Sequence, residues 1–194
     1  MKKTLMHSVT ALALVFSINS FASPAPSDPK KQTPQGLYAD SKETYAMMKK
    51  DPSIILVDVR TPEEWQFVGY TPMAQIMIPS VNFDFTKMDD KKARFADKVN
   101  ENFVAEFEAR LFDLGADKST TYVLMCRSGS SRAQPAAKML YQYGYKNVYI
   151  MTDGFEGGKL KTGEHKGYRL KAGWKYNDLP WSWKIDPSKV YTPM

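Results

Sequence analysis

The stretch Tyr122-Val123-Leu124-Met125-Cys126-Arg127-Ser128-Gly129-Ser130-Ser131-Arg132 (YVLMCRSGSSR) joins a run of apolar residues to a polar loop that holds the only cysteine of a 194-residue chain. An uninterrupted apolar run bounded by turn residues is the pattern of a strand buried on both faces. The loop leads into a helix. Ala136, Met139, Leu140 and Tyr143 recur at i, i+3, i+4 and i+7, and Pro135 falls near the first turn, where a missing N–H is tolerated. The unit reads as strand, loop, helix, with Cys126 at the carboxyl end of the strand.

The same alternation extends outward in both directions. Upstream, Asp40 with Glu43 three residues later opens a helix that runs to about Lys50, and Asp51-Pro52 ends it. Ile54-Ile55-Leu56-Val57 is a second buried-strand pattern. Thr61-Pro62-Glu63-Glu64 carries a capping box with proline at the first helical position, and Gly69 stops that short helix. Ile76-Met77-Ile78 reads as a short strand. Between Lys91 and Gly115, Phe95, Val99, Phe103, Phe107 and Leu111 recur every four positions, which predicts one long helix with a core-facing stripe. Downstream, Val148-Tyr149-Ile150 supplies another strand. Strands alternating with helices predict an α/β fold: a central, mainly parallel sheet flanked by helices, with ligand sites beyond the carboxyl ends of the strands.

The ends of the chain read differently. Residues 1–22 have the form of a secretory signal peptide: Lys2 and Lys3, the apolar run Val9 to Ile18, then Ser20-Phe21-Ala22 as a small-x-small cleavage site. That run is too short to span a bilayer, so the expectation is a mature chain from about Ser23 without a membrane anchor, periplasmic in a Gram-negative source. Residues 23–36, with Pro24, Pro26, Pro29 and Pro34, read as a flexible lead-in, 37–181 as the folded domain and 182–194 as a C-terminal extension. Loss of Lys2 and Lys3 with the signal would lower the formal charge from +6 to +4. The remaining Lys and Arg are scattered among acids along the chain, which argues against a nucleic-acid partner. The eleven methionines are expected in core packing rather than in a copper site, and no metal-ligand pattern or cofactor motif is evident. Trp174, Tyr176, Trp181 and Trp183 form an aromatic run expected to pack over the domain.

A single cysteine in an exported chain cannot form an internal disulfide, so Cys126 is either an inert buried thiol or a reactive one. Its setting favours the second. The N–H groups of a loop that opens a helix converge on the sulfur, and Gly129 allows the backbone curl that forms such a nest. Arg127 and Arg132 add positive charge and donors suited to a tetrahedral oxyanion, and Ser128, Ser130 and Ser131 add hydroxyls. These features stabilise negative charge on the sulfur.

At this point the chain resembles a single-domain rhodanese of the sulfurtransferase family. Cys126-Arg127-Ser128-Gly129 matches that family's active-site loop opening. Leu56 to Trp65 (LVDVRTPEEW) is similar to its D-x-R-x-x-x-E-[WF] segment, Asp153-Gly154-Phe155-Glu156-Gly157-Gly158 to its later glycine turn, and Trp174 to Trp181 to its usual ending. The resemblance implies a rhodanese-like fold and an enzyme, which the signal peptide makes an exported one. Cys126 would take a sulfane sulfur from thiosulfate or a similar small anionic donor and pass it, as a persulfide, to cyanide or a thiol. It implies no cofactor, assigns Cys126 as the catalytic residue and residues Arg127, Ser128, Gly129, Ser130, Ser131 and Arg132 as the anion cradle, and makes Asp58 and Arg60 a supporting ion pair.

Three departures keep alternatives open. Gly69-Tyr70-Thr71-Pro72-Met73-Ala74 has Tyr70 and Met73 where the family usually has histidine and glycine, which puts the pocket rim in doubt. Arg132 lies six residues after Cys126, and this C-x5-R spacing is that of Cdc25-type phosphatases and arsenate reductases. A phosphatase needs a general acid above the loop, a role that Glu156 or Asp153 could fill only by approaching it. His165, in a polar stretch, is expected to be an exposed loop residue rather than a partner for the thiol. A non-catalytic sulfur-carrying or anion-binding module is the remaining alternative.

Overall fold

The computed structural model describes residues 23–190, so the expected signal peptide lies outside the described residues. The chain forms a mixed α/β domain. Strands β1 (Leu37–Ala39), β2 (Ile55–Asp58) and β3 (Ala74–Met77) alternate with helices α1 (Ser41–Lys50) and α2 (Pro62–Val68). A hairpin of β4 (Val81–Asp89) and β5 (Arg94–Val99) follows, then α3 (Phe103–Leu114), β6 (Tyr122–Met125), α4 (Ala133–Gln142) and β7 (Val148–Met151). The central sheet has the order β1-β7-β6-β2-β3 with every neighbouring pair parallel. Helices cover both faces, as the apolar strands require.

The side-chain alternation of the strands divides the core in two. Ile55, Val57, Tyr122, Leu124 and Ile150 face α3 and α4, packing with Phe103, Phe107, Leu111, Ala136 and Leu140. Their neighbours Leu56, Val123, Met125 and Met151 face the other way, against Met47 and Met48 of α1, Trp65 of α2, Phe155 and Trp174. The expected capping box at α1 is present in full: Glu43 N–H donates to Asp40 at 2.8 Å and Asp40 N–H to Glu43 at 2.8 Å.

The long helix expected between Lys91 and Gly115 is the main correction. Only Phe103–Leu114 is helical, and Arg94–Val99 is a strand paired antiparallel with β4. A spacing of four fits one helical turn and equally two strand periods, so Phe95 and Val99 share a face in either conformation. The break falls at Asn100, whose side-chain amide donates to the Pro79 carbonyl at 2.9 Å and to Glu106 at 2.7 Å. Phe95 is 43% exposed and packs edge-on against Phe85 at 5.0 Å, while Phe103 and Phe107 are buried in the core as expected.

Residues 23–36 lie along the domain. Ser23 N–H donates to the Tyr38 carbonyl at 2.9 Å, Thr33 N–H to the Tyr38 hydroxyl at 2.8 Å, and the Gln35 side chain to the Ala137 carbonyl at 2.8 Å. At the other end, Ser182 pairs with Tyr70 as an antiparallel bridge, and Val190 bridges Met77 beside β3. Trp174 is buried, with its indole N–H donating to Pro180 at 2.9 Å. Trp181 and Trp183 meet edge to face at 4.5 Å, and Lys175 Nζ lies 4.0 Å above the Trp181 ring. The expected aromatic cover is therefore built mainly from Trp174 and Trp181, with Trp183 and Tyr176 exposed.

Candidate active site

Cys126 follows β6 at the carboxyl edge of the sheet, and the loop it opens runs to Arg132, the residue before α4. Two glycines fix the shape of this loop. Gly129 has φ +73°, and a Cβ there would sit 2.1 Å from the Thr152 carbonyl oxygen. Gly154, with φ +64°, would place a Cβ 2.4 Å from the Cys126 carbonyl oxygen. The loop and the turn after β7 therefore interlock through backbone alone. Phe155 N–H donates to the Cys126 carbonyl at 2.8 Å and Glu156 N–H to the Arg127 carbonyl at 2.9 Å. These bonds occupy carbonyls and leave donors free: the backbone N–H groups of Arg127 to Arg132 have no hydrogen-bond partner among the described residues. Unpaired donors curled before a helix N-terminus form a cradle for an anion.

The residue added by the C-x5-R spacing is taken up at the helix end. Gln134 N–H donates to the Ser130 carbonyl at 3.1 Å, so α-type hydrogen bonding already reaches back to Ser130, and Arg132 itself has αR backbone angles. Cys126 is 1% exposed and packs within the core face shared with α4; its neighbours Arg127 and Ser128 reach the surface cavity that its own side chain does not line.

The arginines are not the free cations that the sequence predicts. Arg132 forks onto Glu64, with Nη2 to Oε1 at 2.8 Å and Nη1 to Oε2, and Arg127 Nε donates to Glu156 at 2.6 Å. Burial alone would push the Glu64 carboxyl up; hydrogen bonds and charge from Arg132, with the Thr61 N–H and Arg60, outweigh it and hold the group below the usual carboxylate range. Burial likewise disfavours charge on Arg132, but Glu64, together with Cys126 and Asp58, raises its pKa above the usual value. In the sequence Glu64 reads as a helix-capping residue and as the acid of the D-x-R-x-x-x-E segment. Its bond to Arg132 joins positions 68 residues apart, which no local pattern signals.

Asp58 and Arg60 form a fully buried pair, with Nη2 to Oδ2 at 2.7 Å. Arg60 also donates to the Gly69 carbonyl at 2.9 Å, and its guanidinium carbon lies 3.8 Å from the centroid of the Phe155 ring. This pair ties β2, the end of α2 and the glycine turn together. Asp153 accepts from Ser41 N–H at 2.8 Å, Ser41 Oγ at 2.7 Å and Gly173 N–H at 3.0 Å, so it ties β7 to α1 and the C-terminal segment. Burial pushes its carboxyl up. Tyr70 is buried against the C-terminal segment and does not line the rim of the cavity beside the loop. His165 is exposed, as expected.

Two of the cavities beside the loop are lined by several of its residues. One, of about 340 Å³, lies between Ser128, Gly129, Ser130 and the lead-in residues Ser23, Pro24 and Pro26. The other, of about 630 Å³, opens over Arg127, Ser128, Ser131 and Arg132. Its outer walls are the β4–β5 hairpin, through Phe83, Lys92, Arg94 and Asp97, and the segment after the glycine turn, through Lys159 and Arg169. Six cationic side chains line it, alongside the two carboxylates Glu64 and Asp97. Charges that look scattered in the sequence are gathered by the fold.

Comparison with known proteins agrees with this arrangement. A family model described as Rhodanese-like domain matches residues 40–161. An uncharacterized protein of Rickettsia prowazekii is 34% identical over 142 residues, spanning 73% of this chain and 93% of that protein. Another, from Rickettsia conorii, is 33% identical over 142 residues with the same coverage of 73% and 93%. Among solved structures, Rv0390 from M. tuberculosis aligns with a TM-score of 0.53 at 26% identity, covering 75% of this chain and 98% of that one.

Proposed function

Because the chain belongs to the rhodanese-like domain family, we propose that it is an exported, periplasmic sulfurtransferase that carries sulfane sulfur on Cys126. The observation that supports this most directly is the ring of unpaired N–H groups from Arg127 to Arg132 at the mouth of α4, beside the chain's only thiol. The Cys126 thiolate attacks the outer sulfur of thiosulfate. The S–S bond to the sulfonate sulfur breaks, sulfite leaves with the electron pair, and the persulfide that remains is taken up by cyanide or a thiol. Sulfite is a stable leaving anion, so the step needs no general acid. The loop donors hold the sulfonate oxygens and then the persulfide, and α4 directs the positive end of its dipole at both.

Sulfur transfer suits the side chains around the loop better than phosphate or arsenate chemistry does. Arg132, which would clamp a phosphoryl group, is committed to Glu64. Glu64 is held ionised, Glu156 is paired with Arg127, and Asp153 is occupied by Ser41 and Gly173, so none is placed as a general acid. A second reading rests on the burial of Cys126 at 1% exposure: a module that binds anions at the loop and uses the thiol only for packing.

Intact-mass measurement after thiosulfate treatment separates the two. The expected result is one added sulfur on the mature protein, lost on addition of cyanide with release of thiocyanate, and neither event in Cys126→Ser. Thiosulfate binding without an added sulfur would leave the binding module as the correct reading. Faster turnover of an aryl phosphate or of arsenate than of thiosulfate, lost on deletion of Ser131, would instead place the protein in the C-x5-R class.

A further inference from the structure

Most cations of the large cavity have partners. Arg132 is held by Glu64, Arg127 by Glu156, Arg94 by Asp97 and Lys92 by Asp89. Among the described residues, no carboxylate lies within ion-pair distance of Lys159 or Arg169. Arg169 Nη1 donates to the Gly157 carbonyl, while its Nε is buried and has no hydrogen-bond partner among the described residues. A buried donor left unpaired is costly, and a guanidinium that lines the cavity while held by one carbonyl keeps its outer donors for an anion there. Burial and then the Arg127 charge lower the pKa of Arg169, and the charge of a bound anion would act in the opposite direction.

Size decides what kind of anion. Thiosulfate is compact and needs no more space than the loop itself encloses. A space of about 630 Å³ falls within the range of about 300–1,000 Å³ typical of sites for larger organic ligands. Lys159 and Arg169 stand on the wall formed by the segment after the glycine turn, while the loop residues form the floor, so the reactant they serve reaches beyond the transferred sulfur.

We infer that this cavity selects the sulfur acceptor, a thiol that bears carboxylates, and that Arg169 and Lys159 receive those carboxylates. The inference rests on the sulfurtransferase reading. The acceptor's sulfur attacks the outer sulfur of the Cys126 persulfide, the S–S bond breaks toward Cys126, and the thiol proton passes to the departing thiolate. A persulfide and a thiol give a thiol and a persulfide, with no external oxidant or reductant. The guanidinium fork matches a carboxylate in the plane, and Lys159 supplies a second point charge.

The test is single-turnover transfer from protein loaded with thiosulfate and desalted, read by loss of one sulfur in the intact mass. Mercaptosuccinate, with two carboxylates, is compared with neutral 2-mercaptoethanol, and the ratio of the two rates is followed across variants. Lys159→Gln and Arg169→Gln should each lower that ratio by about tenfold, the scale of one lost charge-assisted hydrogen bond, with Arg169→Lys between them and the parent. Raised salt should shrink the parent's ratio toward that of the variants. An unchanged ratio in Lys159→Gln and both Arg169 variants overturns the inference while leaving sulfur transfer intact. Calorimetric binding of S-methyl-mercaptosuccinate needs no sulfur transfer. If Cys126 takes up no sulfur, the acceptor role falls with the sulfurtransferase reading, and binding weakened by Lys159→Gln would still establish the anion site. Equal binding by parent and variants would refute the site itself.

Discussion

Replacement of Glu64 by Gln should lower stability and raise anion affinity together, a combination that follows from the Arg132 pair. Both side chains are nearly buried, Arg132 at 11% and Glu64 at 10% exposure, and they meet through two contacts. Removing one partner of a buried pair costs about 3–5 kcal/mol; Gln keeps one acceptor for the guanidinium, and the residual exposure lets water reach the other, which brings the expected loss to about 2 kcal/mol. For a domain of this size that is a fall in Tm of about 4–8 °C at pH 7. The pH dependence has a definite sign. The folded state holds the Glu64 carboxyl below its ordinary value of 4.5, so the unfolded chain takes up this proton at the higher pH. The stabilisation is fully present above the ordinary carboxylate range and is lost as pH falls through the depressed value. The gap between parent and Glu64→Gln should therefore narrow as the solution is acidified through and below pH 4.5. Thermal unfolding by circular dichroism across pH measures this. At the loop, loss of one negative charge unmasks Arg132, and thiosulfate should bind several-fold more tightly, with the gain suppressed by salt. Equal Tm values at pH 7 with parallel acid profiles would show that the pair is screened by solvent. Weaker thiosulfate binding in the variant would refute the view that Glu64 offsets the charge of Arg132.

Two further outcomes test the fold around the site. Gly129→Ala should cost about 3 kcal/mol or more in urea unfolding and abolish sulfur loading, because the new Cβ would meet the Thr152 carbonyl at 2.1 Å at a positive φ; a urea midpoint equal to the parent's would mean that the loop does not interlock with the turn after β7. Phe95→Ser should change stability by no more than about 0.5 kcal/mol, whereas Phe107→Ala should cost about 3–5 kcal/mol, since Phe95 sits on the exposed hairpin and Phe107 in the core. Similar losses in the two variants would restore the single long helix.

The sequence by itself determined the α/β class, the parallel sheet and the position of Cys126, because each rests on information local in the chain. Buried strands are continuous apolar runs, helices carry caps such as Asp40 with Glu43, and a loop between strand and helix must emerge at the carboxyl edge of the sheet. The family motifs were legible for the same reason, being contiguous segments with fixed spacing. The hairpin was not, since a repeat of four satisfies the helix and the strand alike, and only the pairing of β5 with β4 decides between them. The state of the arginines was also beyond the sequence. Whether Arg132 is free or spent depends on Glu64, and whether the cavity is cationic depends on bringing Lys92, Arg94, Lys159 and Arg169 to the same opening from two separate segments. Electrostatic interaction follows distance in space and not separation along the chain, so the charge of the site and its unpaired Arg169 came into view only once the domain had closed around the loop.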